Sequence, residues 1–214
     1  MKHDIFFEEQ THTYIVDGME VPSVTTILNY MSDVEYSKVN PSVLEQAARR
    51  GSLVHEYTEL MDYDAMPDEV EYEVAGYLEA YAKFLRDYKP DWDGVEKMTY
   101  SEEFYYIGTI DRIGKIDGRK CIVDIKTLAS PTKMNKFTVC SQTAAYGVAE
   151  WQDLESGDRY ALYLNKDGEY NLMDCREYEK KYGFDSFENF FACKVLYDRI
   201  QNLKNIKPIR KGKK

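Results

Sequence analysis

Apolar and polar positions along this 214-residue chain change period several times, and each change marks an element. Residues 4 to 8 and 12 to 25 predict a hairpin turning at Asp17-Gly18. A helix is predicted from Asn40 as its cap, with Pro41 at the first helical position, running past His55. Its apolar stripe is Leu53, Val54, Tyr57, Leu60 and Met61, with His55 at the edge. A second helix is marked by Val70, Val74, Tyr77, Leu78, Tyr81, Phe84 and Leu85 at helical spacing, and Pro90-Asp91 ends it. Strands are predicted near 95–101, 104–114 and 119–127, the last two joined at Asp117-Gly118. A helix across Gln142 to Trp151 follows, then a hairpin from Arg159 to Asp174 turning at Asp167-Gly168. A final helix spans Phe184 to Asn205 and fades into a basic tail. With no internal repeat and no low-complexity linker, the economical organisation is one domain over residues 1–203, with a tail at 204–214.

Composition narrows the class. Apolar residues make up 43% of the chain and aromatics 14%, which suits a globular protein with a sizeable core. The 19 tyrosines fit sheet packing, base stacking or an interface, with packing expected for most. No stretch approaches about 18 consecutive apolar residues, and Met1-Lys2-His3-Asp4 opens no signal segment, so a cytoplasmic protein without a membrane partner is expected. Cys121, Cys140, Cys175 and Cys193 lack C-x-x-C spacing, against a zinc ribbon, and are expected to be reduced thiols.

Charge is unevenly spread. The formal net charge is −10, and residues 59 to 103 alone hold 14 acidic and four basic side chains, which accounts for all of it. Lys204 to Lys214 holds six basic residues and no acidic one. Such segregation fits a basic nucleic-acid path on an acidic protein, and equally a solvated tail.

The chemistry concentrates in the 108–127 hairpin. Asp124 and Lys126 are two apart on one strand and therefore share a face, while Asp111 on the partner strand is placed to converge there. An isolated D-x-K is usually solvated charge. Two carboxylates and an ammonium on one apolar strand pair, however, are costly to bury without a ligand. A hard divalent cation removes that cost. Gln142 and Tyr146 stand four apart on one face of the following helix.

Gly51-x-x-x-His55, Glu96, Gly108-x-Ile110-Asp111, Asp124-x-Lys126 and Gln142-x-x-x-Tyr146 resemble, in order, the motifs of the RecB-like branch of the PD-(D/E)xK nuclease superfamily. The pattern is similar to stand-alone phage exonucleases, CRISPR-associated RecB-like nucleases and the mitochondrial genome maintenance exonuclease. The stretch Val21 to Leu28 is also similar to the start of many phage members, and the resemblance covers residues 12 to 150. It implies an α/β fold, a small mixed β-sheet flanked by helices. It implies a divalent-metal-dependent DNA exonuclease of phage or prophage recombination or repair, in a bacterial or phage-infected cell.

On that resemblance, Asp111 and Asp124 hold Mg²⁺ or Mn²⁺, the Ile125 carbonyl adds an oxygen ligand, and Lys126 orients or helps deprotonate the attacking water. His55 is expected as a ligand, its alternative being a structural histidine. Glu96 is expected to complete the site, with Glu102 and Glu103 as competitors. Gln142 and Tyr146 are expected to bond substrate phosphate or the lysine, their alternative being plain helix packing. Arg49, Arg50 and Arg112 are candidate phosphate contacts, and Pro131 to Lys136 a loop whose two lysines line a strand channel. An iron–sulfur cluster is not expected, since no close cysteine group follows the hairpin. No phosphate-cradling G-x-x-x-x-G-K-[S/T] loop occurs, so no nucleotide cofactor is expected, and a helicase would be a separate partner. A recombinase or single-strand-binding protein is the other expected partner, with DNA ends or single strands as substrate. An endonuclease or junction-cleaving enzyme on the same core, and a catalytically silent nucleic-acid-binding subunit, are the alternatives.

Overall fold

A computed structural model describes residues 3–8, 11, 13–153 and 156–205. The chain is a mixed α/β protein built on a five-stranded sheet, with a smaller three-stranded antiparallel sheet at its start. Strands β1 (Ile5–Glu8), β2 (Thr13–Val16) and β3 (Met19–Val21) form the small sheet in sequential order. Its tight turn uses Asp17 and Gly18, both at positive φ, as the sequence predicts. Helices α1 (Val24–Tyr36), α2 (Pro41–Asp62) and α3 (Ala75–Tyr88) follow. The large sheet runs β4 (Asp91–Ser101), β5 (Tyr106–Ile116), β6 (Arg119–Lys126), β7 (Asp158–Leu164) and β8 (Tyr170–Asp174) in that spatial order. Helix α4 (Lys133–Trp151) lies between β6 and β7, and α5 (Cys175–Tyr182) and α6 (Ser186–Asn205) end the described chain.

Every pairing in the large sheet is antiparallel except β6 with β7, where Asp124 sits beside Ala161 and Lys126 beside Tyr163. A parallel pair needs a crossover, and α4 supplies it. Alternation along β6 then decides what lies above and below. Cys121, Val123 and Ile125 join Val54, Tyr77, Tyr81 and Phe84 of α2 and α3. Ile122 joins Val24 and Ile27 of α1, Tyr146 of α4 and Phe190 of α6 on the opposite face. Side chains so buried contribute about 1.5–3 kcal/mol each, so both faces are held strongly.

Several boundaries differ from those the sequence predicts. Residues 24 and 25 belong to α1, because Ser23 caps that helix by accepting from the Thr26 amide at 3.0 Å. β4 begins at Asp91, four residues before the predicted start, and carries a bulge between Trp92 and Gly94. Helix α3 starts at Ala75, after Val70. Pro131 to Lys136 is not a free loop: Thr132 accepts from the Asn135 amide at 3.0 Å, so Lys133 and Lys136 lie in the opening turn of α4. Helix α5 is unanticipated, capped by Asp174 and closed by Gly183 at φ 68°. Tail residues 206–214 lie outside the described residues. No helix among the described residues is long and apolar enough to cross a membrane.

Candidate active site

β5 changes face at Asp111. Ile110 and Ile113, three residues apart, both pack toward α1 and α4, whereas a regular strand would send them to opposite sides. The β4–β5 ladder passes from Val95↔Arg112 to Lys97↔Ile110 without pairing Glu96 and Asp111, which face each other across the gap. The β5–β6 ladder likewise begins at Arg112↔Val123, and one step further sets Asp111 opposite Asp124. Glu96, Asp111 and Asp124 therefore lie level with one another on three neighbouring strands. Glu96 has φ 47°, a left-handed conformation that a non-glycine residue holds at a cost of roughly 1 kcal/mol or more.

Helix α2 brings His55 over this point. Its Nδ1 lies 3.5 Å from Glu96 Oε1 and 3.7 Å from Asp111 Oδ1, and its Nε2 lies 3.2 Å from the Ile125 carbonyl oxygen. The Ile125 amide donates to Asp111 Oδ2 at 2.6 Å. One donor atom each from His55, Glu96 and Asp111 fall within 4.8 Å of one another, a set that does not include Asp124. Burial pushes the His55 pKa down, but the carboxylates of Asp111 and Glu96 outweigh it and raise the value to about 9.

Asp124 is fully buried. Its Oδ2 is 2.8 Å from Lys126 Nζ, yet neither carboxylate oxygen has a hydrogen bond of proper geometry. Burial raises its pKa to about 6, against the opposing pull of Lys126. A buried carboxylate paired with Lys126, beside an imidazole, two further carboxylates and a backbone carbonyl, makes a donor set suited to a hard divalent cation.

The cluster opens into a cleft of about 750 Å³. Ser52, Glu56 and Glu59 of α2 line one side, and Thr25, Thr109, Thr127, Gln142 and Tyr146 line the rest. Gln142 Nε2 donates to the Tyr146 hydroxyl at 2.9 Å, and both side chains are buried. Gly108 gives the tyrosine ring its space: a Cβ there would lie 2.4 Å from Tyr146 Cε1. Burial first, then the charges of Asp124 and Asp111, push the Tyr146 pKa well above 10, so the phenol stays a proton donor. A slightly larger hollow of about 900 Å³ beside Phe104 and Phe187 lies elsewhere and contains none of these residues.

His55, Glu96, Asp111, Ile125, Lys126, Gln142 and Tyr146 thus share one cleft, with Asp124 beneath Lys126. Glu102 and Glu103 lie at the other hollow, which leaves Glu96 as the glutamate at the cluster. One phosphate-contact expectation is corrected. The Arg112 side chain is 0% exposed and bonded internally, so it cannot reach a substrate. Arg50 is absent from the cleft wall and stands over the Tyr77 ring, 5.8 Å from its centroid. Arg49 is taken up by Glu71 at 3.0 Å and Glu73 at 2.8 Å.

Sequence reading missed Thr25, Thr109 and Thr127 in the wall, and Tyr14, whose hydroxyl meets Thr109 Oγ1 at 2.9 Å. Single hydroxyls carry no spacing signal. It also missed Asp62 and Thr58, which follow His55 along one face of α2 at helical spacing, a polar stripe beside the apolar one.

No family model and no curated protein matches this chain. Among solved structures, that of SSO0001 is similar at 16% identity, over 71% of this chain and 76% of that one, with a TM-score of 0.30. A likeness of that size carries no argument about fold or function.

Proposed function

We propose that this protein is a divalent-metal-dependent DNA nuclease of the PD-(D/E)xK, RecB-like type, acting as an exonuclease. The observation that carries this reading is the meeting of His55, Glu96 and Asp111 within 4.8 Å, beside a buried Asp124 whose Oδ2 lies 2.8 Å from Lys126 Nζ. His55, Glu96, Asp111, Asp124 and the Ile125 carbonyl would hold one or two Mg²⁺ or Mn²⁺ ions. Bound there, the metal would supply positive charge for the phosphoryl oxygens and acidity for a water molecule. Manganese accepts an imidazole ligand more readily than magnesium, which favours it here.

The side chains supply the rest. Lys126 Nζ, anchored 2.8 Å from Asp124, presents its ammonium to the cleft, where it orients the attacking water and stabilises charge on the phosphate. Gln142 fixes the Tyr146 hydroxyl by donating to it, leaving the phenol proton to reach a phosphate oxygen. Tyr146 positions and does not accept a proton, given its raised pKa. Place in phage recombination or repair, and a helicase, recombinase or single-strand-binding partner, rest on the sequence resemblance alone.

The test is digestion of end-labelled linear and closed circular DNA with Mn²⁺, Mg²⁺ or EDTA. Loss of linear DNA alone, abolished by EDTA and by Lys126→Ala, is the expected result. Cleavage of circles would replace the exonuclease with an endonuclease. Inertness with both metals would leave a nucleic-acid-binding subunit as the better account.

A further inference from the structure

Beneath the cleft lies a buried polar network that the proposed chemistry does not use. Arg112 sits at its centre, fully buried between the sheet and helices α2 and α3. Its Nε bonds Asp62 Oδ2 at 2.5 Å and the Tyr81 hydroxyl at 3.2 Å, and its Nη2 bonds Thr58 Oγ1 at 3.1 Å. The remaining corner points at the cluster: Nη1 bonds the Asp111 carbonyl at 2.6 Å and Glu96 Oε1 at 3.3 Å. The Tyr81 hydroxyl lies 3.0 and 2.9 Å from the two Asp62 oxygens.

A buried guanidinium is costly, and hydrophobic packing could fill the same space at least as stably. What the guanidinium fork does that packing cannot is fix two directions at once. Both of its Nη1 partners belong to residues of the Glu96–Asp111 step, which lies between the pairs Val95↔Arg112 and Lys97↔Ile110. Glu96 is also held at φ 47°, a conformation that persists only where its surroundings impose it. Among the described residues its carboxylate meets His55 on the cleft side at 3.5 Å and Arg112 on the buried side at 3.3 Å.

Resting on the metal-site reading above, we propose that Arg112, anchored by Asp62 and Tyr81, is a positioning residue that aims the Glu96 carboxylate into the metal site. Asp62 fixes Arg112 Nε; Arg112 Nη1 then fixes Glu96 and the Asp111 backbone. Metal affinity is therefore sensitive to Asp62, although that residue lies below the cleft and outside the ligand set.

A mutant cycle read by calorimetric titration with Mn²⁺ tests this. Wild type, Asp62→Asn, Glu96→Gln and the double variant are compared, with folding checked by circular dichroism. Asp62→Asn is expected to weaken Mn²⁺ binding by about tenfold, as loss of a supporting contact behind a ligand typically does. In the Glu96→Gln background the same change is expected to have little further effect, because the two act through one carboxylate. Should Asp62→Asn fail to fold, Tyr81→Phe enters the same cycle, since it removes the shared hydroxyl while keeping the ring and the buried charges. Full additivity, or unchanged Mn²⁺ affinity in the single variants, overturns the positioning role and leaves the metal site standing. A folded wild type that binds no Mn²⁺ overturns the metal-site reading and this inference with it.

Discussion

A carboxylate with no exposed surface and no well-formed hydrogen bond, as at Asp124, favours its neutral form, and burial raises its pKa from 3.8 to about 6. The folded state binds that proton more tightly than the unfolded chain. The associated stability is complete below pH 3.8 and is lost as pH rises through about 6. His55 has the same sign. Burial lowers its pKa, but Asp111 and Glu96 raise it from 6.5 to about 9, so its contribution is complete below 6.5 and lost as pH passes 9. Both groups therefore make the metal-free protein less stable as pH climbs from about 5 to 9. A bound divalent cation takes the place of those protons, and its affinity grows as the ligands deprotonate. The melting temperature without metal is expected to fall across that range, and saturating Mn²⁺ to flatten or reverse the slope. Scanning fluorimetry at a series of pH values, with EDTA or with Mn²⁺, measures both curves. A metal-free curve that rises toward pH 9 contradicts the assignment of His55 and Asp124.

At the scale of elements, the sequence was most legible where local chemistry and tertiary structure agree. Helix α2 announces itself through Asn40 and Pro41, and the hairpins through Asp17-Gly18, Asp117-Gly118 and Asp167-Gly168. Helix α1 was hidden by its opening Val24-Thr25-Thr26-Ile27, whose β-branched residues favour a strand until Ser23 caps them into a helix. The first half of α4 was hidden by the Pro131 turn signal, although Thr132 is its cap. Motif order located the residues of the cleft, but not what binds them beneath the surface. Arg112 reads as a surface phosphate contact until Asp62, from the end of α2, is seen beside it. Nor does any local signal reveal that Glu96 breaks the regularity of β4. That break has a measurable cost. Glycine adopts φ near 47° without the Cβ clash, so Glu96→Gly is expected to offset part of the loss of the Arg112 and His55 contacts, leaving metal-free stability within about 1 kcal/mol of wild type, while weakening Mn²⁺ binding. Denaturant melts and a metal titration on one sample separate the two effects. Lower stability together with unchanged Mn²⁺ affinity would show that Glu96 serves the sheet and not a ligand.

Across the whole molecule, charge decides how a polyanion can approach the cleft. The acidic stretch from residue 59 to 103 occupies the end of α2, the connection to α3, α3 itself and β4. Glu59, its first residue, and Glu56 just before it line the cleft's α2 wall. The opposite side differs. Tyr163 pairs with Lys126 across β6 and β7, and its hydroxyl bonds Asn135 Oδ1 at 3.1 Å, which ties the first turn of α4 to the end of the site strand. Lys133 and Lys136 flank that asparagine. Phosphates repelled from the α2 wall are therefore expected to enter along the start of α4. Each lysine that neutralises a phosphate releases a counterion and steepens the dependence of binding on salt. Lys133→Glu combined with Lys136→Glu is expected to lower affinity for single-stranded DNA on the order of tenfold and to reduce the log K against log salt slope by about 1.4. Lys83→Glu combined with Arg86→Glu makes the same charge change on α3 and is expected to leave that slope nearly unaltered. Fluorescence anisotropy in EDTA, which prevents turnover, reads both pairs. Equal losses from the two pairs would mean that DNA senses only net charge, and the approach along α4 would fall.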